Sequence, residues 1–248
     1  MKKTKIFMAL FLALALLCTA CAAPVSPTES KKAENTSSAE SKGEESKAAE
    51  AEPAAAKSGG TIKIGEYILD TQMANKSPFA VGTFAEMLKI IYEPLLIYNE
   101  KKGDLEPALA KEFTWNDAKT ELTLTVNTGA KWHDGEPFVA DDVLYTMQIL
   151  KDNPEFDRYA LWSKIADVKA NGDKVVFTTQ KALVALPQYL SQILIVPKHI
   201  WEKEDAKNFV NEMPVGTGPF KFKEYVTGTS VTLDGNKEYW RGAPKAEN

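Results

Sequence analysis

The chain has 248 residues, with 30 Lys and Arg against 34 Asp and Glu, a formal net charge of −4, and 44% hydrophobic and 10% aromatic residues. These are ordinary values for a globular protein, and they exclude a nucleic-acid binder driven by bulk positive charge. Both cysteines, Cys18 and Cys21, lie close to the N-terminus, so everything after them has no thiol and can hold neither a disulfide framework nor a Cys-based metal site.

The first segment, residues 1–20, has the layout of a signal peptide. A basic stretch through Lys5 is followed by an unbroken apolar run, Ile6 to Leu17, and by the small residues Thr19 and Ala20. As a helix that run reaches only about 18 Å, short of the roughly 30 Å hydrocarbon core, so export and not a permanent membrane span is expected. Leu17-Cys18-Thr19-Ala20-Cys21 resembles the lipobox of bacterial lipoproteins, which implies lipidation at Cys21. One position departs from that pattern, since Cys18 stands where the lipobox has Leu; plain secretory cleavage near Ala20 is the other reading.

Residues 21–60 are rich in Ala, Ser, Glu and Lys, with no aromatic residue and Val25 as the one branched aliphatic side chain, and they close with Ser58-Gly59-Gly60. Such a composition cannot bury enough apolar surface to offset its ordering entropy, so a disordered tether is expected. As a flexible coil it spans roughly 30 to 35 Å, about one domain diameter.

A globular domain is expected over 61–248. Thr61 to Tyr67 alternates apolar and polar residues and predicts a half-buried strand. Phe84, Leu88 and Ile91 share one helical face, predicting a helix over 81–92 that Pro94 stops, and Leu95 to Tyr98 reads as a short buried strand. Glu112 to Trp115 and Glu121 to Val126 flank a turn composition and predict a hairpin; in the second run the period is two. Residues 127–138 form a loop with an Asp134-Gly135 turn. After it, Asp141 and Asp142 place negative charge at a helix N-terminus, with Val143, Met147 and Leu150 on its apolar face. Ile165 to Val168 and Lys174 to Thr178, joined by Asn171-Gly172-Asp173, predict a second hairpin. A short helix over 183–190, a strand at Leu194 to Val196, a helix from Lys198 and a third hairpin over 220–225 and 230–233 complete the pattern. Irregular alternation with many hairpins and no internal repeat argues for a mixed α+β or α/β architecture.

Motifs of catalysis are missing. No His-Glu-x-x-His pair, nucleophile elbow or phosphate loop occurs, and Gly216-Thr217-Gly218-Pro219 precedes a predicted strand, not a helix. His133, Asp134 and His199 are the residues from which a metal site or a surface hydrolase would be built. The Asp134-Gly135 pair is also what a tight turn requires, so His133 is read as a turn or packing residue and no metal site is assigned.

The string Gly129-Ala130-Lys131-Trp132-His133-Asp134-Gly135-Glu136-Pro137-Phe138-Val139-Ala140-Asp141-Asp142-Val143 resembles the signature stretch of the family 5 extracellular solute-binding proteins, the peptide- and nickel-binding components of ABC importers. Ile91-Tyr92-Glu93-Pro94-Leu95, Leu105-Glu106-Pro107-Ala108-Leu109-Ala110, Pro214-Val215-Gly216-Thr217-Gly218-Pro219-Phe220 and Asn236-Lys237-Glu238-Tyr239-Trp240-Arg241-Gly242-Ala243-Pro244 follow the family's order. The resemblance implies an α/β (mixed α+β), periplasmic-binding-protein type II-like fold, of which this chain carries the first lobe only, as a fragment of a longer reading frame. It implies a lipid-anchored binding protein, not an enzyme. Such a protein captures a small solute, foremost an oligopeptide and otherwise a nickel chelate or oligosaccharide, for an ABC permease and ATPase complex. A monomer without cofactor is expected, held to a membrane by its lipid on the outer face of the cytoplasmic membrane or in the periplasm, with no nucleic-acid partner. The rival functions are a ligand-sensing or interaction lipoprotein without transport and, more remotely, a surface-anchored hydrolase. For ligand contacts the candidates are Tyr67 at a strand end, Phe79 in the following loop, Arg158, one of two arginines in the chain, and Trp162. Arg158 could clamp a carboxylate or serve as a solvated surface charge, and Trp162 could wall the cleft or pack against the Ile165 hairpin.

Overall fold

The computed structural model describes residues 61–64, 75–80 and 85–245. The expected signal peptide and tether, Cys21 and Tyr67 lie outside the described residues. Among the described residues no helix is long and apolar enough to cross a membrane.

Helix α1 (Ala85–Ile91) buries Leu88 and Ile91. The chain then turns through Tyr92-Glu93-Pro94 into the hairpin of β1 (Leu96–Asn99) and β2 (Asp104–Pro107), paired antiparallel. Asn99 builds the turn, its side-chain oxygen accepting the amides of Lys101 and Lys102 while Gly103 takes φ +68. The sequence reading missed β2 because a four-residue edge strand with two acids and a proline has no apolar alternation to see.

Strands β3 (Ala110–Trp115), β4 (Glu121–Val126), β5 (Ile165–Asn171) and β6 (Lys174–Thr179) form one antiparallel sheet in the order β3-β4-β6-β5. Cross-strand pairs Leu122↔Phe177 and Leu124↔Val175 set four fully buried side chains on one face. Helix α2 (Ala140–Asp152) packs across β5 and β6 and brings Val143, Met147 and Leu150 into the same core. Each such fully buried side chain contributes about 1.5–3 kcal/mol, so these predicted faces are what hold the sheet to the helix. Both predicted hairpins and the helix are present, with the strands running a few residues further than periodicity indicated.

Helix α2 begins on a buried acid. The Asp142 carboxylate, 3% exposed, accepts three N–H groups: Trp132 Nε1 at 3.2 Å, the Val139 amide at 3.0 Å and the Lys198 amide at 2.9 Å. It therefore ties the Trp132 loop and helix α4 (Lys198–Trp201) to the first turn of α2. Burial pushes its carboxyl above the ordinary range, against the pull of those three donors.

Helix α3 (Leu186–Leu190) starts three residues later than periodicity suggested, with Pro187 in its first turn where the missing N–H costs nothing. The strand expected at Leu194 to Val196 is reduced to one antiparallel bridge, Pro94↔Leu194, supported by the Ile195 amide on the Glu93 carbonyl at 3.1 Å. Too few residues run alongside 93–95 to extend the ladder. The expected first strand fares similarly in its described part. Thr61–Ile64 is not in a strand, and Ile62 and Ile64 are 65% and 82% exposed, because no described strand pairs with them. The last hairpin, β7 (Phe220–Val226) with β8 (Ser230–Gly235), forms as expected.

Candidate functional site

A cavity of about 270 Å³ opens where the 75–80 segment meets α1, the end of α2 and the 192–194 stretch. Pro78, Phe79, Phe156 and Tyr159 give it aromatic and apolar walls; Lys89, Asp157, Arg158 and Gln192 give it polar ones. Phe79 is fixed by two rings, stacked on Phe156 at 5.3 Å and edge-on to Trp201 at 5.2 Å, and Trp201 in turn meets Phe209 at 4.9 Å. A wall built this way is rigid, because each ring is held by the next.

Arg158 lies in the loop after α2 and reaches across to the 75–80 segment, where its Nη2 donates to the carbonyls of Phe79 and Ala80. The guanidinium thus satisfies a turn that has left secondary structure, while its charge remains at the cavity. Asp157 beside it is already engaged, its two carboxylate oxygens accepting the amides of Leu161 at 2.7 Å and Trp162 at 2.8 Å. The charged groups of the lining are Lys89, Arg158 and Asp157, the last with both carboxylate oxygens already accepting backbone amides.

The structure brings Phe79 and Arg158 together and sets Trp162 elsewhere. Trp162 sits in a short 3-10 turn (Leu161–Ser163), donates Nε1–H to the Met147 carbonyl at 2.9 Å, and carries the Lys151 ammonium over its ring at 4.9 Å. It lines a separate groove of about 280 Å³ with Tyr145, Gln148 and Val168, against the β5 hairpin. Phe156 and Tyr159, which the sequence reading passed over, flank Arg158; their signal was the density of aromatics in one loop, Phe156-Asp157-Arg158-Tyr159.

Behind the cavity the sequence motifs meet one another. The Glu93 carboxylate, 3% exposed, accepts Tyr239 Oη–H at 2.6 Å and Trp240 Nε1–H at 2.9 Å, joining Ile91-to-Leu95 to the Tyr239-to-Pro244 stretch. Burial and that carboxylate hold the Tyr239 phenol far above its ordinary value. Gly218 donates its amide to the Ile91 carbonyl at 2.8 Å. His133 is neither a metal ligand nor a plain turn residue. Its Nε2 lies 2.9 Å from the Gly218 carbonyl, its Nδ1 accepts the Gly216 amide at 3.2 Å, and its own amide donates to the Gly216 carbonyl at 2.8 Å. The Gly216 contact fixes the tautomer with the proton on Nε2. Burial, with the Lys221 ammonium nearby, lowers its pKa to about 4, outweighing the Gly218 carbonyl and Asp134. Asp134 pairs with His199 Nε2 at 2.8 Å. No group of three or more His, Cys, Asp or Glu that could hold a metal occurs among the described residues.

The described residues thus combine a mixed α/β fold with an aromatic-walled cavity that carries Lys89, Asp157 and Arg158. Residues 104–248 match the family described as bacterial extracellular solute-binding proteins, family 5 Middle, and the chain belongs to that family, whose members are binding proteins and not enzymes. A Brucella ovis protein named for ABC-transporter peptide binding is 32% identical over 181 residues, covering 70% of this chain and 34% of that protein. Among solved structures, the oligopeptide-binding protein AppA of Bacillus subtilis, in complex with a nonapeptide, aligns with a TM-score of 0.61 at 26% identity, covering 66% of this chain and 34% of that one. A mannohexaose-bound periplasmic oligopeptide-binding protein of Thermotoga maritima aligns at 0.59 with 28% identity, covering 67% and 32%. The fold is accordingly of the α/β periplasmic-binding-protein type II class. The chain spans about a third of the length of the curated relatives it matches.

Proposed function

We propose that this chain is part of the solute-binding component of an ABC importer, that it takes oligopeptides in preference to nickel chelates or oligosaccharides, and that it contributes the cavity around Phe79 and Arg158 to the binding cleft. The observation that carries the reading is the lining itself: aromatic walls for apolar side chains beside the Arg158 guanidinium, a group suited to a carboxylate. Family membership and relatives named for peptide binding support it. Arg158 would hold a peptide carboxylate, with Phe79 as the rigid floor; Trp162, on its separate groove, would take part only from another face of the ligand, and Tyr67 is proposed as a further contact. Delivery goes to a permease and ATPase complex, from a lipid anchor at Cys21 on the outer face of the cytoplasmic membrane or in the periplasm.

Titrating the purified protein with oligopeptides tests this. A ligand at a hundred times its Kd adds about 2.7 kcal/mol and is expected to raise Tm by about 5 °C or more. Peptides with a free C-terminus should outperform their amides, and Arg158→Met should reduce affinity about tenfold or more, with a loss of unliganded stability of about 1–3 kcal/mol from the two carbonyls left unserved. No shift with any peptide, nickel chelate or oligosaccharide overturns the reading. For the anchor, metabolic labelling with a radioactive fatty acid is expected to mark the wild-type chain and to leave Cys21→Ser unlabelled; equal labelling of the two removes Cys21 from the proposal.

A further inference from the structure

The chain contains two histidines, and both converge on one turn: His133 lies on it, and His199 of α4 holds its Asp134. We propose that the turn Trp132–Gly135 is an acid-operated latch, in which protonation of the His133 ring breaks its bond to the Gly216 amide and loosens the Gly216–Gly218 segment while Asp134 keeps the turn on α4.

The hydrogen-bond geometry requires this behaviour. A singly protonated ring serves both neighbours, donating from Nε2 to the Gly218 carbonyl and accepting at Nδ1 from the Gly216 amide. A second proton can only go to Nδ1, where it points at an N–H that is itself a donor, and the Gly216 bond is lost. The Nε2–H bond to the Gly218 carbonyl and the His133 amide on the Gly216 carbonyl persist, so the change is confined to the Gly216 amide. The charged groups around the ring come from several elements. Lys221 of β7 places its ammonium on the His133 carbonyl at 2.9 Å and opposes a second positive charge, whereas Asp134 on the same turn favours one. From α4, His199 competes for Asp134, and from α2 the Asp142 carboxylate acts electrostatically on His199.

The sign follows from where each state takes up the proton. The ring is held near 4 in the latched state against about 6.5 when released, so the released state binds the proton first. The latch is complete above pH 6.5 and is lost as the pH falls toward 4. Since the loosened segment holds the end of α1 through the Gly218 amide on Ile91, and α1 carries Lys89 on the cavity wall, acidification slackens that wall.

Hydrogen exchange of residues 215–218, corrected for the intrinsic pH dependence of exchange, tests the latch in the purified protein, with β4 as internal reference. Between pH 7.5 and 4.5 protection of 215–218 is expected to fall by roughly 10- to 100-fold while β4 holds. His133→Gln, which keeps a donor for Gly218 but cannot titrate, is expected to flatten that dependence, and His199→Gln to leave it in place. A β4 that loosens in step, or a His133→Gln protein with the wild-type pH dependence, overturns the proposal. Should His133→Gln fail to fold, NMR titration of the wild-type ring decides: a ring that protonates near pH 6.5 with 215–218 still protected also overturns it.

Discussion

Gly216→Ala is expected to cost more than about 4 kcal/mol, the largest loss from a methyl group added at any of the described glycines. The new Cβ would lie 1.9 Å from the Ile91 carbonyl oxygen and 2.5 Å from its carbonyl carbon. Both are backbone atoms at the end of α1, so no rotamer change relieves the overlap. The same carbonyl is engaged by the Gly218 amide at 2.8 Å, and moving it away breaks that bond and drags the end of the helix. Urea unfolding of the purified variant should show a midpoint far below wild type, or no cooperative transition. Gly129→Ala is the control, since its Cβ would meet the Asn127 side chain at 3.3 Å, and a shift of about 1 kcal/mol or less is expected there. Equal midpoints for the two variants would contradict the close packing of residues 216–218 on α1.

The second large effect is expected at Asp142. Asp142→Ala leaves three N–H donors in the interior without an acceptor: Trp132 Nε1, the Val139 amide and the Lys198 amide. Each stranded buried donor costs on the order of 1–3 kcal/mol, so a total of about 3–5 kcal/mol is expected after local relaxation. Asp142→Asn retains one acceptor oxygen and turns an amide toward the remaining donors, so it should fall between. Thermal unfolding gives the magnitude, and Trp132 fluorescence gives the site. A loss of stability without an altered Trp132 environment would place the damage elsewhere than in this network.

Most of the regular structure was legible because period and burial agree. Leu122, Leu124, Val175 and Phe177 alternate in sequence and occupy one buried sheet face; Val143, Met147 and Leu150 repeat at helical spacing and meet them. Where pairing depends on a distant partner, local pattern misleads. Leu194 to Val196 has the composition of a strand, yet a bridge to Pro94 is the one ladder contact it makes. Strand β2 has no such composition and pairs all the same, because the Asn99 turn delivers it to β1. The family was legible in the Trp132-His133-Asp134-Gly135 string, but the reason for that string was not. His133 resembles a turn residue in isolation, and its function as a clamp depends on Gly216 and Gly218, which no sequence spacing connects to it. Phe79 and Arg158 could be named singly from loop position and rarity, whereas their meeting across the 75–80 segment is a tertiary fact. Trp162 was chosen by the same loop argument, and the bond to the Met147 carbonyl turned it toward α2.

The Pro94↔Leu194 bridge carries a consequence for how the molecule is assembled. The chain departs at Pro94, builds the four-stranded sheet with α2, and returns at Leu194 to the point of departure, with His133, Asp142 and Arg158 tying the excursion to the segments on either side of it. Closing so long a loop directly would be entropically slow, but the hairpins inside it form from near neighbours and shorten the path. The hairpins within the excursion are thereby expected to form before the bridge closes.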